Sequence, residues 1–519
     1  KEIMTTISTP PKLESGTDIK LDTSLEKGFD FEKTVPIGNR HNYVTSFAGN
    51  CYAKNYSIIK AEDMLTKWGE SQNPIANLDK HISTLKNIYR KNEEQDSKKA
   101  IKFVEELNKK HAIVSVKGKT AILNETYDPT WNRDEISLSS ANDLRLLYCN
   151  RWVNIQKKGK QTLKSAADIW LCSPDRRQYE GIYFDPSGKE IENYYNLYKG
   201  WDVEPQKGDC SLYYDHIKEN IANGDKKIEK YTLDWMADAV QNIAKKPGVS
   251  IVLRGGQGCG KGVFIINFGS LFGCHYHHVS DSRHVVGHFN SLLSDNLILF
   301  ADEAFYAGDK QHESALKTLI SEDKRIIEFK GKNAFALPNY TRLMMASNKD
   351  WVVPVDMDDR RFFIIDVGEN HVKDYPYFEA IHKQMNEQGG RAALLFDLLT
   401  RDISKVNIKD FPVTKAILDN KMMSLDSVGQ WILDKLKEKG FEKKETIKHL
   451  FKDYANYCKQ NTKLESEYQN FWARKLKKYF PKLVRKQYPT GERYYRFQSL
   501  KTCRKNFEKK LGCKLNWNE

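Results

Sequence analysis

The sequence predicts a multidomain α/β protein, and three observations predict it. At 519 residues the chain is longer than one core usually organises, at roughly 150 residues per domain. Between residues 213 and 410, apolar runs that end on polar residues alternate with helical stretches, the pattern of a sheet covered by helices. On either side the periodicity changes: helical before residue 112, short and β-like up to 212, helical and basic after 426.

Composition narrows the class. The chain is 40% hydrophobic, enough for buried cores, and its formal charge of +14 favours a polyanionic partner. No apolar run reaches the length of a membrane span and the start carries no signal-peptide pattern, so a cytoplasmic protein without a membrane partner is expected. The chain begins at Lys1, which reads as a fragment or a processed product. Nine scattered cysteines without a C-x-x-C pair speak against a zinc ribbon or a disulfide framework. The densest metal-like group is Cys274-His275-Tyr276-His277-His278. Strand alternation puts His275 and His277 on one face, and with no second cluster at ligand spacing a structural role is expected.

Taken in order, residues 1–28 are polar and read as a flexible tether. Residues 29–112 predict a helical bundle, because 58–68 and 77–91 space apolar residues at three and four. Residues 113–212 hold short aromatic β-like pieces between turn signals and predict an α+β module. Within 213–410, Leu233, Met236, Val240 and Ile243 form a helical stripe, with Thr232 as its expected N-cap and Pro247 at its exit. Buried strands are then expected in SIVLR, SDNLILFADEAF, TRLMMASN and RRFFIIDV, a helix over 313–320, and a hairpin around Gly331. Residues 411–425 read as a linker. In 426–519, helices followed by a basic hairpin at Pro489-Thr490-Gly491 describe a winged helix, a helix-turn-helix variant that often binds DNA. Arg474, Lys475, Lys477, Lys478, Arg485 and Lys486 crowd its last helix and hairpin.

The chemistry concentrates in the 213–410 segment. After SIVLR comes GGQGCGKG: Gly255, Gly256, Gln257, Gly258, Cys259, Gly260, Lys261 and Gly262. This is the phosphate-loop pattern G-x-x-x-x-G-K-[ST] with glycine where the hydroxyl belongs. Backbone N–H groups at a helix start favour phosphates and the lysine neutralises them, so ATP is the expected ligand. About forty residues on, an apolar strand runs into Asp302-Glu303; the aspartate can hold the Mg²⁺ shell and the glutamate can polarise an attacking water. Asn348, ending the third strand, can reach a γ-phosphate or that water. Arg360 and Arg361 precede the last strand, where an arginine finger is expected, the alternative being a salt bridge to Asp356, Asp358 or Asp359.

Together with the hairpin lysines Lys330 and Lys332, these motifs resemble a superfamily 3 helicase of the AAA+ class. YEGIYFDP, YYNLYKGW, VEPQKGD, FADEAF and ASN…RRF are similar to the phage and plasmid primase–helicase family. The resemblance implies an AAA+ core over 213–410 and a ring, expected to be a hexamer. ATP would lie between subunits, with Lys261, Asp302, Glu303 and Asn348 from one and Arg360 or Arg361 from the next. Lys330 and Lys332 would line a channel and track single-stranded DNA at a fork, 3′ to 5′. An upstream primase–polymerase module would be covalently linked. Gly262 departs from most of the superfamily, but Mg²⁺ keeps several waters and needs few protein ligands, so Asp302 with phosphates and water can suffice. Two other readings compete: an ATP-switched DNA-binding loader, and a structural ring whose nucleotide site is inactive.

Overall fold

The structure, a computed structural model, describes residues 33–130, 133–157, 160–287, 290–304, 310–329, 334–350, 359–461, 464–512 and 514–517. The expected tether over 1–28 and the hairpin lysines Lys330 and Lys332 lie outside the described residues, as do Asp356 and Asp358. The chain divides into two compact units: residues up to Ala112 with Ser139–Arg177, and Ile113–Leu138 with residues from Gln178 on.

The first unit is built on three helices, Arg40–Ala53, Ile58–Glu70 and Leu78–Asn108. The side chains of Ser57 and Asn77 cap the second and third by accepting from Lys60 N and Lys80 N. Their apolar stripes close on Val44, Phe47, Leu65, Trp68, Leu85 and Tyr89, all buried. Residues 139–177 add two short helices and the antiparallel pair Trp152–Lys157 and Lys160–Ser165.

The second unit is centred on five parallel strands: β1 (Ser250–Arg254), β2 (Tyr276–Val279), β3 (Ile298–Asp302), β4 (Arg342–Ser347) and β5 (Phe362–Asp366). Their order across the sheet is β2-β3-β4-β1-β5. β1, β3, β4 and β5 are near-continuous apolar runs because both faces of the sheet are covered, and Ile251, Leu253, Phe300, Met344 and Ile364 are fully buried. The register brings the motif residues level with one another. Asp302 pairs with Ala346 and Ser347 with Arg254, so the residues that follow β1, β3 and β4 emerge side by side at one edge.

Arg254, the last residue of β1, locks that edge. Its guanidinium binds both carboxylate oxygens of Asp366 at 2.6 and 3.0 Å, Asp419 at 3.0 Å and the Asp350 carbonyl at 3.1 Å. Asp419 lies on a helix, Lys415–Met423, inside the stretch expected as a linker. A second arginine, Arg342 at the start of β4, is buried and pins the end of the helix Lys226–Gln241. It bonds the carbonyls of Asp238, Asn242 and Lys245 and pairs with the Asp238 carboxylate at 2.8 Å. The N-cap of that helix, Asp225, lies seven residues before the expected cap Thr232. The Asp225 carboxylate accepts from Lys227 N and Ile228 N, while Thr232 is buried within the helix. Tertiary packing lets the helix extend through a polar first turn that shows no apolar stripe.

Residues 426–512 carry a separate core around Trp431, Tyr454, Trp472, Leu476 and Phe507. Helices Ser427–Lys437, Ile447–Gln460 and Gln469–Tyr479 precede a hairpin of Val484–Gln487 and Arg493–Arg496, whose turn uses Gly491 at φ 87°. A third strand, Lys444–Thr446, joins this hairpin, and a final helix, Leu500–Leu511, closes the core. Among the described residues no helix is long and apolar enough to cross a membrane.

Removing one partner of a buried pair leaves the other charge unpaired, which typically costs about 3–5 kcal/mol. Arg342→Met is therefore expected to lower the thermal midpoint of the unit that holds the sheet by several degrees, measured by calorimetry. An unchanged midpoint would show that the Arg342 contacts add no net stability.

Candidate functional site

The glycine loop leaves β1 and turns into the helix Lys261–Gly269. Gly258 and Gly260 have φ of 78° and 88°, a region that side chains rarely adopt. A Cβ on Gly260 would fall 2.5 Å from Cε1 of His216 and 2.7 Å from Cε1 of Phe378, so glycine is required there for space as well as for backbone. Gly262 is different. Its φ is ordinary, and the nearest atom to a Cβ would be Ile266 Cδ1 at 3.9 Å.

Lys261 is buried, 8% exposed, and its ammonium is fully used. Nζ donates to the carbonyls of Gly255 at 2.8 Å and Gly256 at 2.7 Å, and to Asn348 Oδ1 at 2.8 Å. The Asn348 amide in turn donates to Glu303 Oε1. Glu303 sits at φ 52°, a left-handed conformation unusual for a glutamate, and its N–H is held by the Ala346 carbonyl at 3.0 Å. Asp302 lies beside this line, with Oδ2 3.5 Å from Nε2 of His278, whose ring stacks on Phe300. Lys261, Asp302, Glu303 and Asn348, drawn from three strand ends, thus face one cleft of about 870 Å³.

Arg360 and Arg361 do not line that cleft. Arg361 is tied within its own chain: its guanidinium meets Asp359 at 3.0 Å and Ser321 Oγ at 2.8 Å. Arg360 is exposed and has no ion pair among the described residues. Of the C-terminal basic residues, Arg474, Lys477, Lys478, Arg485 and Lys486 are exposed, whereas Lys475 is held by Asp426 at 2.9 Å and by Glu467.

The far wall of the cleft, Lys373, Phe378, His382 and Arg391, carries no motif that sequence reading could pick out. The same holds for two buried side chains behind the loop. His216 and Asn220 lie on a π-helical segment, His216–Ile221, and bond the carbonyls of Gly260 and Cys259. Burial pushes the His216 imidazole down to about 4. The group Cys274, His275 and Asp295 has its potential ligand atoms within 4.8 Å of one another. Both His275 nitrogens are already committed, Nδ1 to the Asp295 carbonyl and Nε2 to the Lys199 N–H, each at 2.8 Å. A metal there would have to displace one of these bonds.

Comparison with known proteins places this site in context. A protein family described only as being of unknown function, DUF5906, matches residues 253–361, the span from the loop to Arg361. The chain is 24% identical over 271 residues to the DNA primase-polymerase of Nitratiruptor phage NrS-1; the match covers 50% of this chain and 36% of that protein. The chain thus matches only about a third of that relative's length. The apo structure of the NrS-1 C-terminal region aligns with a TM-score of 0.55 at 15% identity, covering 77% of this chain and 99% of that one. A second apo form of the same region aligns at 0.54, again at 15% identity, over 76% of this chain and 98% of that one. The similarity at this identity is one of fold.

The two loop glycines should respond oppositely to added side chains. Gly260→Ala forces a left-handed backbone and a clash with His216, with an expected cost of about 1–3 kcal/mol. Gly262→Ser meets only an ordinary van der Waals contact with Ile266 at a helix start and should stay within about 0.5 kcal/mol of the parent. Chemical denaturation of both variants checks this. Equal stability for the two would mean that the loop relaxes around Gly260.

Proposed function

We propose that this chain is the ATP-driven helicase portion of a phage-type DNA replication protein, with an AAA+ core of the superfamily 3 kind. The observation that carries the reading is the hydrogen-bonded line Lys261–Asn348–Glu303, with Asp302 beside it, at the end of a sheet ordered β2-β3-β4-β1-β5. Similarity to a DNA primase-polymerase supports the replication context and a linked upstream primase–polymerase module. Such a protein acts in the cytoplasm of the phage's host.

In this reading Lys261 exchanges its loop carbonyls for the β and γ oxygens of ATP, while the loop N–H groups and the helix start hold the remaining phosphate charge. Asn348 already bridges the lysine and Glu303, so it can align a water between the γ-phosphate and the Glu303 carboxylate. Glu303 accepts that water's proton as the oxygen attacks phosphorus, and ADP leaves. The residues fit Mg²⁺: Asp302 is 42% exposed at its side chain, faces the loop, and needs only phosphates and water to complete a shell. When bound, Mg²⁺ supplies charge neutralisation for the leaving phosphates.

The proposed ring, a hexamer by family resemblance, draws its finger from Arg360. Arg361 is spent on Asp359 and Ser321, which leaves Arg360 as the exposed cation able to reach a neighbour. Lys330 and Lys332 are proposed to track one strand of forked DNA, 3′ to 5′. The winged-helix-like module over 426–519 is proposed to hold the duplex. It has 24 lysines and arginines against 11 aspartates and glutamates, a net +13 of the chain's +14. Exposed Phe471 carries Arg474 over its ring at 5.7 Å, on the face this reading turns to DNA.

Lys261→Ala should remove nearly all ATP hydrolysis, and Glu303→Gln should keep nucleotide binding but lower turnover by at least about a hundredfold. Forked-DNA displacement with ATP tests the helicase reading on the parent chain. Hydrolysis without displacement would mark a loader, and the absence of both would mark an inactive ring.

Arg360→Ala is expected to abolish turnover alone but to recover activity when its subunits are mixed with Lys261→Ala subunits. Mixed interfaces then hold one sound loop and one sound finger. Arg361→Ala should instead lower stability. If labelled subunits exchange and activity stays absent, Arg360 does not act across a boundary.

A further inference from the structure

The loop is fastened to the far wall of the cleft at two points. One is direct: the Lys373 N–H reaches the Gly258 carbonyl at 3.4 Å, and Lys373 takes a φ of 61° to do so. The other runs through His216. Its Nε2 lies 3.1 Å from the Gly260 carbonyl, which can only accept, so Nε2 carries the proton. Burial keeps the ring neutral with that single proton. Nδ1 must therefore accept, and the hydroxyl of Tyr377, 3.1 Å away, is its donor. Tyr377 lies in the first turn of the helix Tyr375–Glu387, which supplies Tyr375, Phe378, Glu379 and His382 to the cleft wall. Its ring stacks flat on His371 at 3.7 Å and 4°, and His371 Nδ1 is 2.9 Å from the Asp374 carboxylate that caps the same helix. Asn220 holds the neighbouring Cys259 carbonyl from the same side as His216. Behind the loop there is therefore one chain of contacts, hydrogen-bonded from Gly260 through His216 to Tyr377, stacked from Tyr377 to His371, and hydrogen-bonded again to Asp374.

We infer that His216 is a positioning residue that couples the glycine loop to the helix Tyr375–Glu387, so that a nucleoside triphosphate held by the loop orders the opposite wall of its own cleft. The inference rests on the nucleotide reading given above. Two physical points support it. The imidazole has one proton and one lone pair, and both are used, so any shift of the Gly260 carbonyl changes the bond His216 can offer Tyr377. The ring also fills the space a Gly260 Cβ would need, so loop and imidazole cannot move independently. The Gly260 carbonyl also accepts the first helical bond from Phe264 N at 3.2 Å, so His216 reads the start of the helix that follows the loop.

Tyr377→Phe removes the donor and keeps the stacked ring. His216→Gln keeps an N–H for Gly260 and removes the ring Nδ1 that accepts from Tyr377. Both variants are compared with the parent for affinity towards a fluorescent ATP analogue, and for hydrogen exchange over 375–387 with and without ATP. In the parent, ATP should slow exchange in that helix. In both variants ATP should still bind, about two- to tenfold more weakly, but at saturation the helix should exchange as it does without ATP. His216→Ala, losing both bonds, should bind more weakly than His216→Gln. Should Tyr377→Phe bind like the parent with full ATP-dependent protection, the coupling is overturned. If the parent itself fails to bind the analogue while its thermal midpoint is normal, the nucleotide reading fails and takes this inference with it.

Discussion

A buried ammonium ion must be paired, and Lys261 is where this chain meets that constraint. With 8% of the residue exposed, its three N–H donors are satisfied by two loop carbonyls and by Asn348. Those partners sit on different strands: the carbonyls follow β1 and Asn348 follows β4. The bond therefore requires β1 and β4 to be neighbours in register, which they are, with Ser347 opposite Arg254. From Asn348 the requirement passes to Glu303 at the end of β3. One positive charge thus sets the relative positions of three strand ends.

The surrounding structure holds that edge rigid. Arg254 clamps β1 to β5 through Asp366 and reaches the segment after Asn348 through the Asp350 carbonyl. Arg342 anchors the opposite end of β4 to the helix Lys226–Gln241. Both are planar donors that satisfy several acceptors at once, which a lysine could not match. Glu303 is held in a left-handed conformation between these anchors. Strain of this sort, typically 1–3 kcal/mol, persists where the surroundings over-determine it.

Two arginines adjacent in sequence show how neighbours decide roles. Arg361 closes a local loop with Asp359 and reaches Ser321, forty positions away. Arg360 is exposed and has no ion pair among the described residues. The C-terminal basic residues divide similarly: Lys475 is neutralised by two carboxylates while Arg474 and Lys478 remain exposed. Charge counted along a sequence overstates what a surface can offer a partner.

Strands β1, β3, β4 and β5 were legible because a parallel strand covered on both faces needs an unbroken apolar run, and each run ends where the backbone leaves the core. The glycine loop was legible for a similarly local reason, since left-handed backbone at Gly258 and Gly260 excludes other side chains. Lys261, Asp302, Glu303 and Asn348 followed from their positions just beyond those runs. Local pattern did not predict the helix start at Asp225, where a polar first turn hides the helix from periodicity, or the helix within 411–425. It also gave no signal for His216, Asn220 or the far wall of the cleft. His216 meets Gly260 across 44 positions and Tyr377 across 161. A lone buried histidine has no neighbouring residues to betray its partners. The sequence by itself determined strands β1, β3, β4 and β5 and the glycine loop, because those depend on residues a few positions apart. Which side chains stand behind the loop, and that Arg361 rather than Arg360 binds Asp359 and Ser321, was decided only by the tertiary structure, because hydrogen bonding of buried polar groups is satisfied across space and leaves no period along the chain.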